Sequence, residues 1–194
     1  MGPEQAAAAL SRPTVVVLSG ACGSGKSTVL YRLQAVAGSG SAGIDVDQLY
    51  LMTDPDWSQS RTNTPLWPLA VRNAARLAGH FLDEGFRLVV VAGNSVWGAD
   101  AVDVLTDALG SRAAVHHITL DPSVETIQAR VAVRGDDKSP DWLAAHVAWM
   151  RARYLAWTHV IDTTSLGPDE TVSAVLEAVA AGHGRIAGAV ARPA

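Results

Sequence analysis

The stretch LSGACGSGKSTVLYRL, Leu18 to Leu33, decides how the rest of the chain is read. It gathers three glycines, one of the two lysines and the only cysteine into a few residues. Gly20, Ala21, Cys22, Gly23, Ser24, Gly25, Lys26 and Ser27 fit the pattern G-x-x-x-x-G-K-[ST] at every position. The surroundings fit too. TVVVLS (Thr14–Ser19) reads as a buried strand, and Val29, Leu30, Leu33 and Val36 form one face of a following helix. Glycines let backbone N–H groups turn inward on an anion, and a helix N-terminus adds positive partial charge. These eight residues, with Thr28, are therefore expected to hold the phosphates of ATP. Lys26 is placed to bridge the β- and γ-phosphates and Ser27 to ligate Mg²⁺. Cys22 fills a free position of the loop. A helix N-terminus can make such a thiol redox-active, but simple fit of a small side chain is the stronger reading.

The composition bounds what surrounds this loop. A chain of 194 residues with 48% hydrophobic and 18% charged content suits one globular domain. A net charge of −4 argues against nucleic-acid or anionic-membrane partners, and no apolar run has the length of a bilayer span. One cysteine allows no internal disulfide, and MGPEQAAAALSRP lacks the basic start and apolar core of a signal peptide. The expectation is a cytoplasmic monomer or homodimer.

Strand-like runs alternate with helical patterns along the chain. The runs are Thr14–Ser19, Ala42–Val46, Arg87–Ala92, Val115–Leu120 and Thr158–Asp162. Helical patterns cover Leu69–Leu82, a stretch opened by Asp121-Pro122, one lined by Leu143, Val147, Met150 and Tyr154, and Pro168–Ala181. Such alternation predicts an α/β fold with a parallel sheet covered on both faces. Residues 13–181 are expected to form the domain, with frayed ends at 1–12 and 182–194.

Two absences and one pair narrow the class. No N-K-x-D guanine motif is present, and the third strand ends VVVAGN without the acid of a large motor ATPase. The second strand instead ends with Asp45 and Asp47 in GIDVDQLY. Residues two apart on a strand share a face, and strand ends in a doubly wound sheet open onto the phosphate crevice. Asp45 is expected to hold Mg²⁺ with Ser27, and Asp47 to take the proton of an acceptor hydroxyl. Farther along, ARVAVRGDDKSPDW puts Arg130 and Arg134 four apart on one helix face, followed by a polar Gly- and Pro-containing stretch with Lys138. Residues 134–141 read as a lid whose cations neutralise a transferring phosphoryl group. Arg134 suits the γ-phosphate and Arg130 suits stacking on adenine.

These segments resemble small P-loop kinases of the chloramphenicol phosphotransferase, shikimate kinase and gluconate kinase type, and most closely the tunicamycin-resistance ATP-binding group. SGACGSGKS, the acids Asp45 and Asp47, TPLWP (Thr64–Pro68), HHITL, ETIQARVAVR and IDTTSL carry the likeness. The resemblance implies a P-loop three-layer sandwich, a five-stranded parallel sheet of order 2-3-1-4-5, and a closing lid. It implies an ATP- and Mg²⁺-dependent phosphotransferase acting on a small-molecule hydroxyl, with an antibiotic among the candidate acceptors. Sequestration of a ligand without chemistry, and a metabolic nucleoside or sugar kinase, are the alternatives. Chloramphenicol phosphotransferase carries acids after its third strand, where this chain has Gly93 and Asn94.

The acceptor is expected between the end of strand two, the helices after it and the lid. Asp47, Trp57, Arg61, Trp67, Asn94, Trp97 and Lys138 are the candidate acceptor-binding residues, with Tyr50 near them. Trp142 and Trp149, seven apart, read as packing, and His146 between them as structural. No Cys/His spacing suggests zinc.

Overall fold

The computed structural model describes residues 10–55 and 66–186, so Trp57 and Arg61 lie outside the described residues. Five strands form one parallel sheet: β1 (Thr14–Ser19), β2 (Ser41–Asp45), β3 (Leu88–Ala92), β4 (Ala114–Leu120) and β5 (His159–Ile161). Their order is β2-β3-β1-β4-β5, as the resemblance implies. The helices are α1 (Lys26–Ala37), α2 (Val46–Leu51), α3 (Trp67–Asp83), α4 (Ala99–Leu109), α5 (Val124–Arg134), α6 (Pro140–Arg151) and α7 (Pro168–Ala180).

The two faces of the sheet are sorted by strand alternation. Val15, Val17, Val89 and Val91 point to the side covered by α3 and α4, where Ala74, Ala78, Leu105 and Leu109 meet them. Val16, Leu18, Val90, Ile118 and Leu120 point to the side of α1 and α7, against Leu30, Leu33, Val172 and Leu176. Both faces are apolar, which is why β1 and β3 read as unbroken β-branched runs. A third cluster lies under the phosphate loop. It joins Ala21 to Ile127 and Val131 of α5 and to Leu143, Val147 and Met150 of α6. The loop and the two helices beside it are therefore packed as one body.

Several boundaries differ from the sequence reading. Pro122 precedes α5 and Ser123 caps it, its Oγ accepting from Thr126 N. Residues 10 and 184–186, inside the stretches expected to fray, make specific contacts. Leu10 is buried in the core and its carbonyl accepts from Arg87, while Ile186 N donates to Val115 O at 2.8 Å. Gly184 accepts from His117 N, so residues 184–186 run along the half of β4 that β5 leaves uncovered.

His117 fixes the turn that leads to the site. Its ring lies 2.9 Å from Val96 O and 2.6 Å from Thr158 Oγ1, and burial pulls its pKa down to about 4. A histidine depressed in the fold binds its proton more weakly there than when unfolded. Stability is thus retained above the unfolded value near 6.5 and lost as pH falls towards the folded one. Denaturant titrations should show about 3 kcal/mol lost through this group between pH 7 and 4. A His117→Gln variant should show a weaker pH dependence across that window.

Candidate active site

The phosphate loop connects β1 to α1. Gly20 has φ 140°, Gly23 φ 83° and Gly25 φ 100°, the last at the N-cap of α1. Each is a backbone state that L side chains avoid, and the first two are also close approaches. A Cβ at Gly20 would collide with Leu120 O, and one at Gly23 would lie 2.7 Å from Val131 Cγ2. Gly20→Ala should cost at least about 2 kcal/mol in urea unfolding, through strain and collision together. The loop's glycines thus serve both the turn and its seat on α5.

Lys26 is buried and its Nζ donates to Gly20 O and Ala21 O, both at 2.9 Å. Burial pushes its ammonium pKa down, and the charges of Asp47, Cys22 and Asp45 pull it back up. Ser24 Oγ is buried with no partner among the described residues. Ser27 Oγ donates to Asp45 Oδ2 at 3.2 Å.

Asp45 and Asp47 reach this region by a route the strand pattern does not predict. Asp45 ends β2 and is the N-cap of α2, where its Oδ1 accepts from Asp47 N at 3.0 Å. Asp47 stands in the first turn of that helix rather than on the strand. The side-chain cap breaks the strand one residue after Asp45, so shared strand facing is not what aligns the pair. Asp45 turns to Ser27 and Asp47 turns to β3. Asp47 Oδ1 accepts from Asn94 N at 3.1 Å and Oδ2 from Asn94 Nδ2 at 3.2 Å. Gly93 permits this approach, since a Cβ there would lie 2.9 Å from Val46 Cβ and 3.2 Å from Asp47 Oδ1. Burial raises the Asp47 pKa above the ordinary carboxylate range, opposed by the Asn94 N–H and by Lys26.

A cavity of about 630 Å³ opens over the loop. Lys26, Ser27, Asp47 and Asn94 form one side, and Arg134, Asp136, Lys138 and Trp142 the other. Arg134 ends α5, and Gly135 in the left-handed region turns the chain towards α6. Within that turn Arg134 pairs with Asp136 through Nε at 3.0 Å and through Nη2, and Lys138 Nζ lies 3.5 Å from the same carboxylate. Lys138 therefore borders the phosphate cavity and is absent from the tryptophan-lined one described next.

Arg130 faces the opposite side of the loop. Its guanidinium donates to the carbonyls of Ser24 at 3.2 Å, Thr163 at 3.0 Å and Leu166 at 3.4 Å. With Gly25, Thr28 and Leu166 it lines a cavity of about 260 Å³. Three backbone acceptors hold the guanidinium, so it clamps the loop to the segment after β5 as well as bordering that space.

A further cavity, about 470 Å³, adjoins the first at Asn94. Trp67, Trp97 and Trp149 line it with Val71, Ala101 and Val104. Trp97 and Trp149 meet edge to face at 4.8 Å between centroids, and Tyr50 stacks behind Trp67 at 4.2 Å. Trp149 is 39% exposed and Trp142 47%, and both border cavities, so neither is the packing residue expected from sequence. His146 likewise lines the tryptophan cavity, stacked between those two rings at 5.0 and 6.2 Å. Trp142, His146 and Trp149 are spaced four and three apart, a stripe of their own one position off the buried Leu143, Val147 and Met150.

A phosphate loop opening a helix after the central strand of a 2-3-1-4-5 parallel sheet defines the class of P-loop nucleotide-binding proteins. Within it, the chain belongs to the family described as AAA domain, whose model matches residues 15–157. No curated protein matches the sequence. Among solved structures it is similar to a gluconokinase from Sinorhizobium meliloti 1021, at 20% identity and TM-score 0.64 over 88% of this chain and 95% of that one. It is similar to the Deinococcus radiodurans tunicamycin resistance protein at 18% identity and TM-score 0.60, over 91% and 99%. A shikimate kinase from Acinetobacter baumannii, in complex with shikimate, aligns at 17% identity and TM-score 0.56 over 91% and 98%. At such identities the likeness is one of fold.

Proposed function

We propose that the protein transfers the γ-phosphoryl group of Mg²⁺-bound ATP to a hydroxyl of a small molecule. The observation that carries this reading is Asp47. Both its oxygens are oriented by Asn94, in one cavity with Lys26 and Ser27 and at the junction with a second cavity of substrate size. That is the position of a base between donor and acceptor.

The loop fits a nucleotide's phosphates. Gly20 and Gly23 leave no room for side chains, and Ser24 Oγ is buried without a partner among the described residues. The Ser27 hydroxyl and Asp45 carboxylate are hard oxygen donors 3.2 Å apart, suited to Mg²⁺ that keeps water and phosphate as its other ligands. Bound there, Mg²⁺ supplies charge neutralisation at the phosphates.

In the reaction, the acceptor O–H gives its proton to the Asp47 carboxylate while its oxygen forms a bond to the γ-phosphorus. The bond from that phosphorus to the β–γ bridging oxygen breaks, and ADP leaves with the electron pair. Lys26 and Arg134 neutralise the charge spread over the transferring group, with Lys138 beside them. Asp136 must release Arg134 for this. Arg130 borders the base of the nucleotide. Lid closure over 134–141 belongs to the same reading, and so does an antibiotic as acceptor, for which the Deinococcus neighbour's name is the support.

An ADP-release screen over antibiotics, sugars and nucleosides, followed by mass spectrometry, tests the reading. A gain of one phosphoryl group on an acceptor supports it; tight binding of compounds with no mass gain across the screen opposes it. In the same assay Arg134→Ala should lower kcat about 10²-fold or more with little change in ATP binding.

A further inference from the structure

The tryptophan-lined cavity is unlike a site for an acid. Asp100 is the only charged side chain lining it among the described residues, and that charge is negative. His146, the one described lining group able to become a cation, has its pKa lowered by burial and then by the charge of Lys26. A carboxylate placed here would be desolvated against Trp67, Trp97 and Trp149, with no cation among the described lining residues to meet it. It would also lie on the same wall as Asp100. Flat apolar surface has the opposite fate. Three indoles and the side chains of Val71, Ala101 and Val104 bury it, and aromatic pairs gain beyond area alone.

The cavity's polar groups cluster at one end, where it joins the phosphate cavity. Asn94 spends its amide N–H on Asp47 Oδ2, leaving Oδ1 buried and without a partner among the described residues. Ser95 Oγ is in the same condition next to it. Both residues line this cavity. An unpartnered carbonyl oxygen beside the proposed base calls for a hydrogen-bond donor, and a second hydroxyl of the acceptor, next to the one that gives its proton to Asp47, carries one.

We propose that the acceptor is an uncharged polyhydroxy alcohol carrying an aryl body, which sits between the tryptophans with its reacting hydroxyl at Asp47 and a neighbouring hydroxyl on Asn94 Oδ1, and that carboxylated alcohols are disfavoured. This rests on the phosphotransferase reading above. It separates the chain's acceptor from the acids named by its gluconokinase and shikimate kinase neighbours.

The test uses the full chain and four probes: phenyl β-D-glucopyranoside, glucose, gluconate and shikimate. Calorimetry with Mg²⁺ and ADP present reads binding, and mass spectrometry with Mg²⁺ and ATP reads transfer. Phenyl glucoside should bind at least about tenfold tighter than the other three. Trp149→Ala, with folding checked by circular dichroism, should remove most of that preference. Asp100→Lys, on the surface at the start of α4, should improve gluconate and shikimate binding several-fold relative to glucose. Tighter binding of gluconate or shikimate to the natural chain, equal binding of all four, or no detectable binding of phenyl glucoside at millimolar concentration would overturn the proposal. The two readings fail separately. The expected preference without phosphoryl transfer to any probe sinks the phosphotransferase reading and keeps the cavity's selectivity. Transfer to gluconate or shikimate in preference does the reverse.

Discussion

Replacing Lys26 with Ala is expected to lower phosphoryl transfer by about 10³-fold while the chain stays folded. The rate effect follows from charge. Lys26 is the one cation rooted inside the loop, where its Nζ meets Gly20 O and Ala21 O. Its low-dielectric surroundings make it worth more to a developing phosphate charge than a surface lysine would be. The fold survives because the φ values of Gly20, Gly23 and Gly25 shape the loop, together with its seat on Ile127 and Val131. Circular dichroism and urea titration give the folding readout, and ADP release the kinetic one. Near-normal turnover in Lys26→Ala would remove the loop from the chemistry.

Asp47→Asn is the second large effect, about 10²- to 10⁴-fold on kcat, with ATP affinity nearly kept. The substitution is close to isosteric, so the loss reports the missing base rather than a hole. Its pH signature is specific. Burial raises the Asp47 pKa, and only the ionised carboxylate can accept the proton. The natural chain's transfer rate should therefore rise with pH through an acid limb lying above the usual carboxylate range. Asn94→Ala removes the bond from Nδ2 that favours the charged form, so its limb should move to higher pH and its kcat should fall. Asp47→Asn should lose the limb altogether. A purely structural Asn94 would change stability without moving the limb.

The sheet was readable because its physics is local. β1 and β3 are buried on both faces, so their sequences are continuous Val and Leu, and the loop after β1 carries a pattern whose glycines are forced by geometry. The site was legible where one residue type has one use, as for Lys26. It was misread where two patterns overlap. GIDVD alternates like a strand, yet Asp45 caps a helix whose apolar residues Val46, Leu49 and Tyr50 follow at helical spacing. Trp142, His146 and Trp149 were hidden beside a core stripe one residue away; reading the two stripes separately would have shown a second face. The pairing of Asp136 with Arg134 and Lys138 depends on a turn whose direction is set by Gly135, and acid next to base in sequence does not predict it. The run of residues 184–186 along β4 depends on β5 being only three residues long, a tertiary fact invisible in a Gly-rich tail.

The most direct measurement follows the γ-phosphate itself. ATP labelled with ³²P at the γ position, with Mg²⁺, is incubated with the protein and a pool of hydroxyl-bearing small molecules, and the products are separated. Label should pass to an organic phosphate with the natural chain and fail to pass with Asp47→Asn, although both bind ATP. Label that remains in ATP, or appears only as inorganic phosphate, while the natural chain binds ATP and the pool, would contradict the account.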